Sequence, residues 1–241
     1  MKSEFQRLYQ QLYRHFGSQG WWPTTPPGET RPRYYPGQVG RPLSEDEQWE
    51  IAVGALLTQN TAWRNAEQAL EALHRHGALA LQALAGLEER QLAALIRSSG
   101  YYNQKARRLQ HLARHVATHH QGELGRLLDG PTRAVRAELL ALPGIGPETA
   151  DSILLYAGGH PVFVVDAYTR RICSRLGWVG EGTGHAALQE LFMKHLPAAA
   201  ALFNEYHALL VRLATSYCRS RPQCAACPLR RWCRHGQGQD H

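Results

Sequence analysis

Apolar residues that return every three or four positions constrain this chain more than any other feature. Residues 49–59, 63–76, 88–97, 104–119, 147–157, 187–196 and 198–217 all carry that spacing, which is the signature of helices with buried faces. The opening run MKSEFQRLYQQLYRHFG repeats it through Phe5, Leu8, Tyr9, Leu12, Tyr13 and Phe16. Only PVFVV, at 161–165, reads as a short β-branched run. The fold class that follows is all-α. One stretch interrupts the helices: WWPTTPPGETRPRYYPGQVGRP, residues 21–42, is too rich in Pro and Gly for helix and predicts a long loop.

A chain of 241 residues can bury one large core or two small ones. No window approaches a membrane-spanning run, so no transmembrane helix and no membrane partner are expected. The N-terminus lacks the apolar stretch of a secretory signal. The net charge of +7 and a pI near 9.4 favour a polyanionic partner without separating DNA from RNA or an acidic membrane. The basic residues are almost all arginine; the only lysines are Lys2, Lys105 and Lys194.

Cys218, Cys224, Cys227 and Cys233 form C-x5-C-x2-C-x5-C, while Cys173 stands apart. Clustered thiolates without a secretory signal suggest a metal centre rather than disulfides. Four Cys ligands suit Zn²⁺ or an iron–sulfur cluster, and the two long gaps fit a bulkier cubane slightly better. Arg219, Arg221, Arg230, Arg231 and Arg234 lie around them. They are either phosphate contacts or a solvated basic surface.

LPGIGPETAD, residues 142–151, follows an amphipathic segment at 133–142. Gly144 and Gly146, with Ile145 between them, allow a tight turn whose N–H groups, ahead of a helix starting at Pro147, suit an anionic phosphate. This is a helix–hairpin–helix layout that grips a DNA backbone without reading sequence. Two acids follow. Glu148 lies in the first helical turn, where favourable interaction with the helix dipole is reason enough for it. Asp166, in VFVVDAYTRR, is placed to N-cap the next helix.

Together these segments resemble the endonuclease III superfamily of helix–hairpin–helix DNA glycosylases. LPGIGPETA matches its hairpin, VVDAYTRR its catalytic aspartate segment, and the terminal cysteines its [4Fe–4S] loop. LLTQNTAW resembles the segment that inserts a glutamine into the duplex, and IRSSGYYNQKARRL the family block that follows. The resemblance covers about 49–233. It implies a two-lobed helical fold with a DNA groove between the lobes, Asp166 as the catalytic carboxylate, Gln59 as the inserted residue and Cys218, Cys224, Cys227 and Cys233 as cluster ligands, with Zn²⁺ the alternative metal. The first cysteine gap is one residue shorter than in endonuclease III. Glu148 is the departure that matters, because bifunctional members carry there a lysine that forms a Schiff base with the sugar. Glutamate cannot form an imine. The expectation is a monofunctional glycosylase, with Glu148 in the active-site cavity in a role left open.

The pair WWP at 21–23, Trp63 after the glutamine, and the pattern through Ala157 are most similar to the endonuclease III-type 3-methyladenine DNA glycosylases. That likeness implies a base pocket of Trp21, Trp22, Pro23 and Trp63 for alkylated purines such as 3-methyladenine and 7-methylguanine. Positively charged purines stack well on indole faces. The same tryptophans would equally serve as helix staple and core. The insertion at 24–42 departs from the compact family pattern. Alternatives are a glycosylase for oxidised pyrimidines or mismatched bases, or a non-catalytic DNA-binding module. The expected organisation is 1–44 as N-terminal helix and loop packing with the cluster domain, 45–160 as a helical barrel ending in the hairpin, and 161–241 as the catalytic-aspartate and cluster domain. A monomer acting on damaged double-stranded DNA in a reducing, cytoplasmic, nucleoid-associated setting completes the expectation.

Overall fold

The computed structural model describes residues 3–238. They form α-helices joined by turns, with no strand among the described residues and one isolated antiparallel bridge, Thr24 to Arg33. None of these helices is long and apolar enough to cross a membrane. The chain divides into two compact units, Trp22–Tyr35 with Gly40–His160, and Met1–Trp21 with Pro36–Val39 and Pro161–His241.

The N-terminal helix α1 (Glu4–Phe16) belongs to the second of these units. The first unit is built on α2 (Glu45–Leu57), which starts at a reciprocal Ser44–Glu47 capping box and is buried without a break from Trp49 to Leu57. Such a helix has no polar face, so neighbours must surround it. Those neighbours include α3 (Trp63–Arg75), α6 (Tyr102–His119), α7 (Leu124–Leu128) and α9 (Pro147–Ser152). Two short helices, α4 (Leu81–Gly86) and α5 (Glu89–Leu95), lie against α6. The first hairpin helix is α8 (Thr132–Ala141). At 147–157 the expected single helix changes character: α9 gives way to a π turn over Ile153–Ala157, and the Gly158 N–H donates to the Ile153 carbonyl at 3.1 Å. Periodicity alone does not distinguish a π turn from an α turn.

In the second unit α1 is capped by a Ser3–Gln6 box and buries Phe5, Leu8 and Leu12. It packs on α11 (His185–His195) and α12 (Ala200–Ser216). Phe163 stacks on Phe192 at 4.0 Å, and the Tyr206 hydroxyl donates to the Phe5 carbonyl at 3.0 Å. Val162–Val165 is buried but pairs with no strand; it runs as an extended lead into α10 (Ala167–Leu176). A four-residue helix, α13 (Arg234–Gln237), follows the cysteines.

The segment 1–44, expected to pack wholly with the cysteine-bearing unit, divides instead. Residues 22–35 and 40–44 group with the barrel unit, because two carboxylates of α2 hold them. Thr24 Oγ1 donates to Glu47 at 2.7 Å, and the Thr25 N–H and hydroxyl donate to buried Glu50 at 2.9 and 2.7 Å. Arg41 closes on Glu47 with both terminal guanidinium nitrogens, Nη1 and Nη2. Burial pushes the Glu47 carboxyl up, but Arg41, the Ser44 N–H and Thr24 outweigh it and hold the pKa down at about 2. Charge and hydrogen bonds thus join the buried Trp22 in ordering the loop.

Candidate active site

Asp166 ends the buried Val162–Val165 segment and N-caps α10. Its Oδ1 accepts the Thr169 N–H at 2.6 Å, and its Oδ2 lies 3.5 Å from His207 Nε2 on α12. Only 12% of the side chain is exposed. Burial pushes its carboxyl up; His207 and the Thr169 donors pull harder the other way and hold it below the usual carboxylate range. A nearly buried yet ionised carboxylate results, one oxygen fixed on the Thr169 N–H and the other facing His207. Cys173, on the same helix, is fully buried, and burial, then the Asp166 charge, push its thiol well up. It is an inert core residue.

The hairpin joins α8 to α9. Arg136 grips buried Asp151 with two hydrogen bonds, Nε to Oδ1 at 2.6 Å and Nη2 to Oδ2 at 3.1 Å, and so staples the two helices. Ile145 is buried while Gly144 and Gly146 are exposed. Gly144 has φ +81°, and a Cβ there would collide with the Arg108 side chain, so only glycine fits. Arg108 Nη1 donates to Gln59 Oε1 at 2.6 Å; Gln59 Nε2 in turn donates to the Gly144 carbonyl at 3.0 Å and Thr149 Oγ1 at 2.9 Å. The residue expected to enter a duplex is thus tethered to the hairpin. Glu148 is exposed in the first turn of α9.

Trp22, Pro23 and Trp63 fall in the barrel unit and Trp21 in the other. Trp22 is buried, with its six-membered ring 3.0 Å from where a Gly54 Cβ would lie, so that glycine lets it seat against α2. It meets Trp63 edge-on, at 5.5 Å and 86°, and Tyr156 of the π turn at 5.3 Å. A stacked purine needs a slot about 7 Å wide, two carbon contact distances. The edge-to-face pair is closer than that, so no slot for a stacked purine is preformed between Trp22 and Trp63.

Lys105 is buried, and its Nζ donates to the Leu57 carbonyl at 2.8 Å and the Ser99 carbonyl at 2.7 Å. Burial, with the Arg108 charge, lowers its pKa to about 8. It ties α6 to the end of α2 and presents no free amine. Lys194 is exposed on α11, and Lys2 lies outside the described residues.

Cys218, Cys224, Cys227 and Cys233 line one small pocket with Arg175 and Arg230. Arg175 Nη1 donates to Cys218 Sγ at 3.3 Å and to the Arg219 carbonyl at 2.6 Å. Burial, with the neighbouring cysteines' charge, raises the Cys227 and Cys233 thiols. A single Zn²⁺ with bonds of about 2.3 Å would bring sulfurs to about 3.8 Å of one another. Among the described residues, no three of these sulfurs gather within 4.8 Å. Arg175 supplies a cation that would balance a multiply charged thiolate centre.

Sequence reasoning missed Arg108, Tyr156 and His207 as parts of these arrangements. Tyr101, read in the sequence as part of a turn capping the next helix, is the N-cap of α6, 66% exposed at φ +47°. A non-glycine residue in that conformation is uncommon and marks a constrained turn.

Residues 53–198 match the HhH-GPD superfamily base excision DNA repair protein family. The chain is 38% identical over 229 residues to MJ1434 of Methanocaldococcus jannaschii, provisionally named a DNA repair glycosylase, with 94% of each chain covered. Among solved structures it is similar to an H. pylori 3-methyladenine DNA glycosylase (MagIII) bound to 1,N6-ethenoadenine: 27% identity, TM-score 0.68, 86% of this chain and 95% of that one. An endonuclease III–DNA complex shares the fold at 22% identity, TM-score 0.76, covering 99% and 98%. With its hairpin, its capped aspartate and these likenesses, the chain belongs to the HhH-GPD superfamily and is a DNA repair glycosylase of the endonuclease III fold.

Proposed function

We propose that the protein is a monofunctional glycosylase that hydrolyses the N-glycosidic bond of alkylated purines in double-stranded DNA. The observation that carries this reading is the ionised, helix-capping Asp166 in a chain whose hairpin bears Glu148 and whose Lys105 amine is bound to two carbonyls. As the C1′–N bond lengthens, its electron pair leaves with the base and the sugar gains positive charge. The Asp166 carboxylate stabilises that charge. Water then attacks C1′ and gives up its proton, through the carboxylate, to solvent. A 3- or 7-alkylated purine is already cationic and departs neutral, so little general-acid help is needed.

The barrel unit supplies the base-binding surface: Trp22, Trp63 and Tyr156, with Trp22–Trp63 opening to admit the purine. Likeness to the 3-methyladenine glycosylase supports this assignment, and stacking a cationic base on indole contributes about 0.5–2 kcal/mol per contact. Pro23, next to Trp22 in the same unit, borders that surface in this reading. Gly144, Ile145 and Gly146 hold a phosphate, and Gln59 enters the duplex once DNA competes for its hairpin bonds. Cys218, Cys224, Cys227 and Cys233 would hold a [4Fe–4S] cluster, which supplies a rigid crosslink for the Arg-rich loop. Zn²⁺ has a closed d-shell, so visible absorption by the purified protein separates the two metals.

The test of substrate class is chromatography of bases released from methylated duplex DNA, beside duplex carrying oxidised pyrimidines. Free 3-methyladenine or 7-methylguanine is the expected product. Release of oxidised pyrimidines alone would overturn the alkylpurine assignment while leaving the glycosylase.

A further inference from the structure

The carboxyl end of α6 and the outer face of α8 carry a second cluster of ligand-type side chains, separate from the hairpin contacts. His115 Nε2 and His120 Nε2 converge on one oxygen of Glu138, at 2.7 and 2.6 Å. All three ligand atoms lie within 4.8 Å of one another. We propose that His115, His120 and Glu138 form a divalent transition-metal site of the Zn²⁺ type, which ties the end of α6 to the first helix of the hairpin.

Several features build the site. His115 and His120 are five residues apart, too far round a regular helix to share one face. The chain corrects this at the helix end, where His120 is the C-cap and Gln121 takes φ +56°. The Gly122 N–H then closes back on the Val116 carbonyl at 3.1 Å. That left-handed turn follows His120 directly, and the His120 ring lies against Glu138 on α8. The His115 ring is steadied by His119, 4.7 Å away. Side-chain exposures of 21% for His115, 18% for His120 and 35% for Glu138 leave the carboxylate free to swing and a water free to enter.

Tetrahedral bonds of 2.0–2.1 Å would set the ligand atoms about 3.3 Å apart. The two N–O gaps therefore need to widen by only about 0.6–0.7 Å, within reach of a half-exposed glutamate. Two imidazoles and one carboxylate select a first-row ion such as Zn²⁺ over Mg²⁺ or Ca²⁺, which prefer oxygen sets. Each imidazole binds through Nε2 and keeps its proton on Nδ1. A solvent molecule completes the fourth position. Because α6 also carries Arg108, whose side chain lies over Gly144, the ion would brace the helix on which that hairpin contact rests.

The test compares the full chain with Glu138→Gln and His120→Gln by equilibrium dialysis against Zn²⁺, with bound zinc counted by mass spectrometry. The four cysteines are common to all three proteins, so their uptake cancels. One extra equivalent in the unaltered chain is expected. Affinity in each variant should fall by at least the ~10–100-fold that loss of outer-shell partners causes. Long-range ¹H–¹⁵N imidazole spectra of the unaltered chain give an independent reading, in which Zn²⁺ should shift the Nε2 signals of His115 and His120. Equal zinc uptake by all three proteins, or unmoved Nε2 signals in the unaltered chain, would overturn the site.

Discussion

Asp166 and Glu148 both stand at the start of a helix, and their surroundings treat them in opposite ways. Asp166 is the cap itself, nearly buried, with one oxygen on the Thr169 N–H and the other facing His207. Glu148 is exposed on the first turn of its helix. A third acid, Glu47, also sits in a first turn, but there Arg41 and Thr24 occupy its oxygens. Position at a helix start thus decides little. What differs is burial: Asp166 is nearly enclosed yet held below the usual carboxylate range, while Glu148 lies exposed.

The largest expected effect breaks this comparison at Asp166. Asp166→Asn should lower single-turnover base release by about 10²–10³-fold, the usual loss when one group stabilising transition-state charge is removed. Asparagine caps helices as well as aspartate does, so melting and DNA binding should stay nearly unchanged. Loss of folding in that variant would instead make Asp166 chiefly structural.

Glu47 sharpens the contrast through pH. Its folded pKa of about 2 lies below its ordinary value near 4.5. The stability it contributes is therefore complete above about pH 4.5 and is lost as pH falls towards 2. Acid titration of melting should show that loss in the unaltered chain and a flatter slope in Glu47→Gln.

Trp63→Ala comes next. It should weaken release of alkylated purines by about 3–30-fold, the equivalent of about 0.5–2 kcal/mol of stacking, with smaller effects on affinity for undamaged duplex. Equal losses on both would make Trp63 a packing residue. The smallest effect belongs to Glu148→Gln, which should alter base release by less than about 3-fold and melting by less than about 1 kcal/mol, the scale of a helix-dipole contact. A loss as large as that of Asp166→Asn would turn Glu148 into a catalytic residue.

Much of this was legible in the residues. Helical spacing announced the all-α class, and PGIG followed by a helix start announced a hairpin. The segment through Asp166 announced a cap, which the structure shows with an accepted N–H at 2.6 Å. What was not legible depends on contacts far apart in sequence. Gln59, Arg108 and Gly144 meet through folding alone, as do His207 and Asp166. The Trp21–Trp22 pair reads as one feature in sequence but divides between two units, because Thr24 and Thr25 follow Glu47 and Glu50 of α2. The π turn that sets Tyr156 beside Trp22 shares its apolar spacing with an ordinary helix.

The central claim is that a carboxylate, with no amine nucleophile, breaks the glycosidic bond. Borohydride trapping during turnover of methylated duplex DNA tests it most directly. Base release with an alkali-labile abasic site, intact strands and no trapped adduct is the predicted result. A covalent protein–DNA adduct formed on reduction would contradict it, because an amine such as that of Lys194 would then be attacking the sugar.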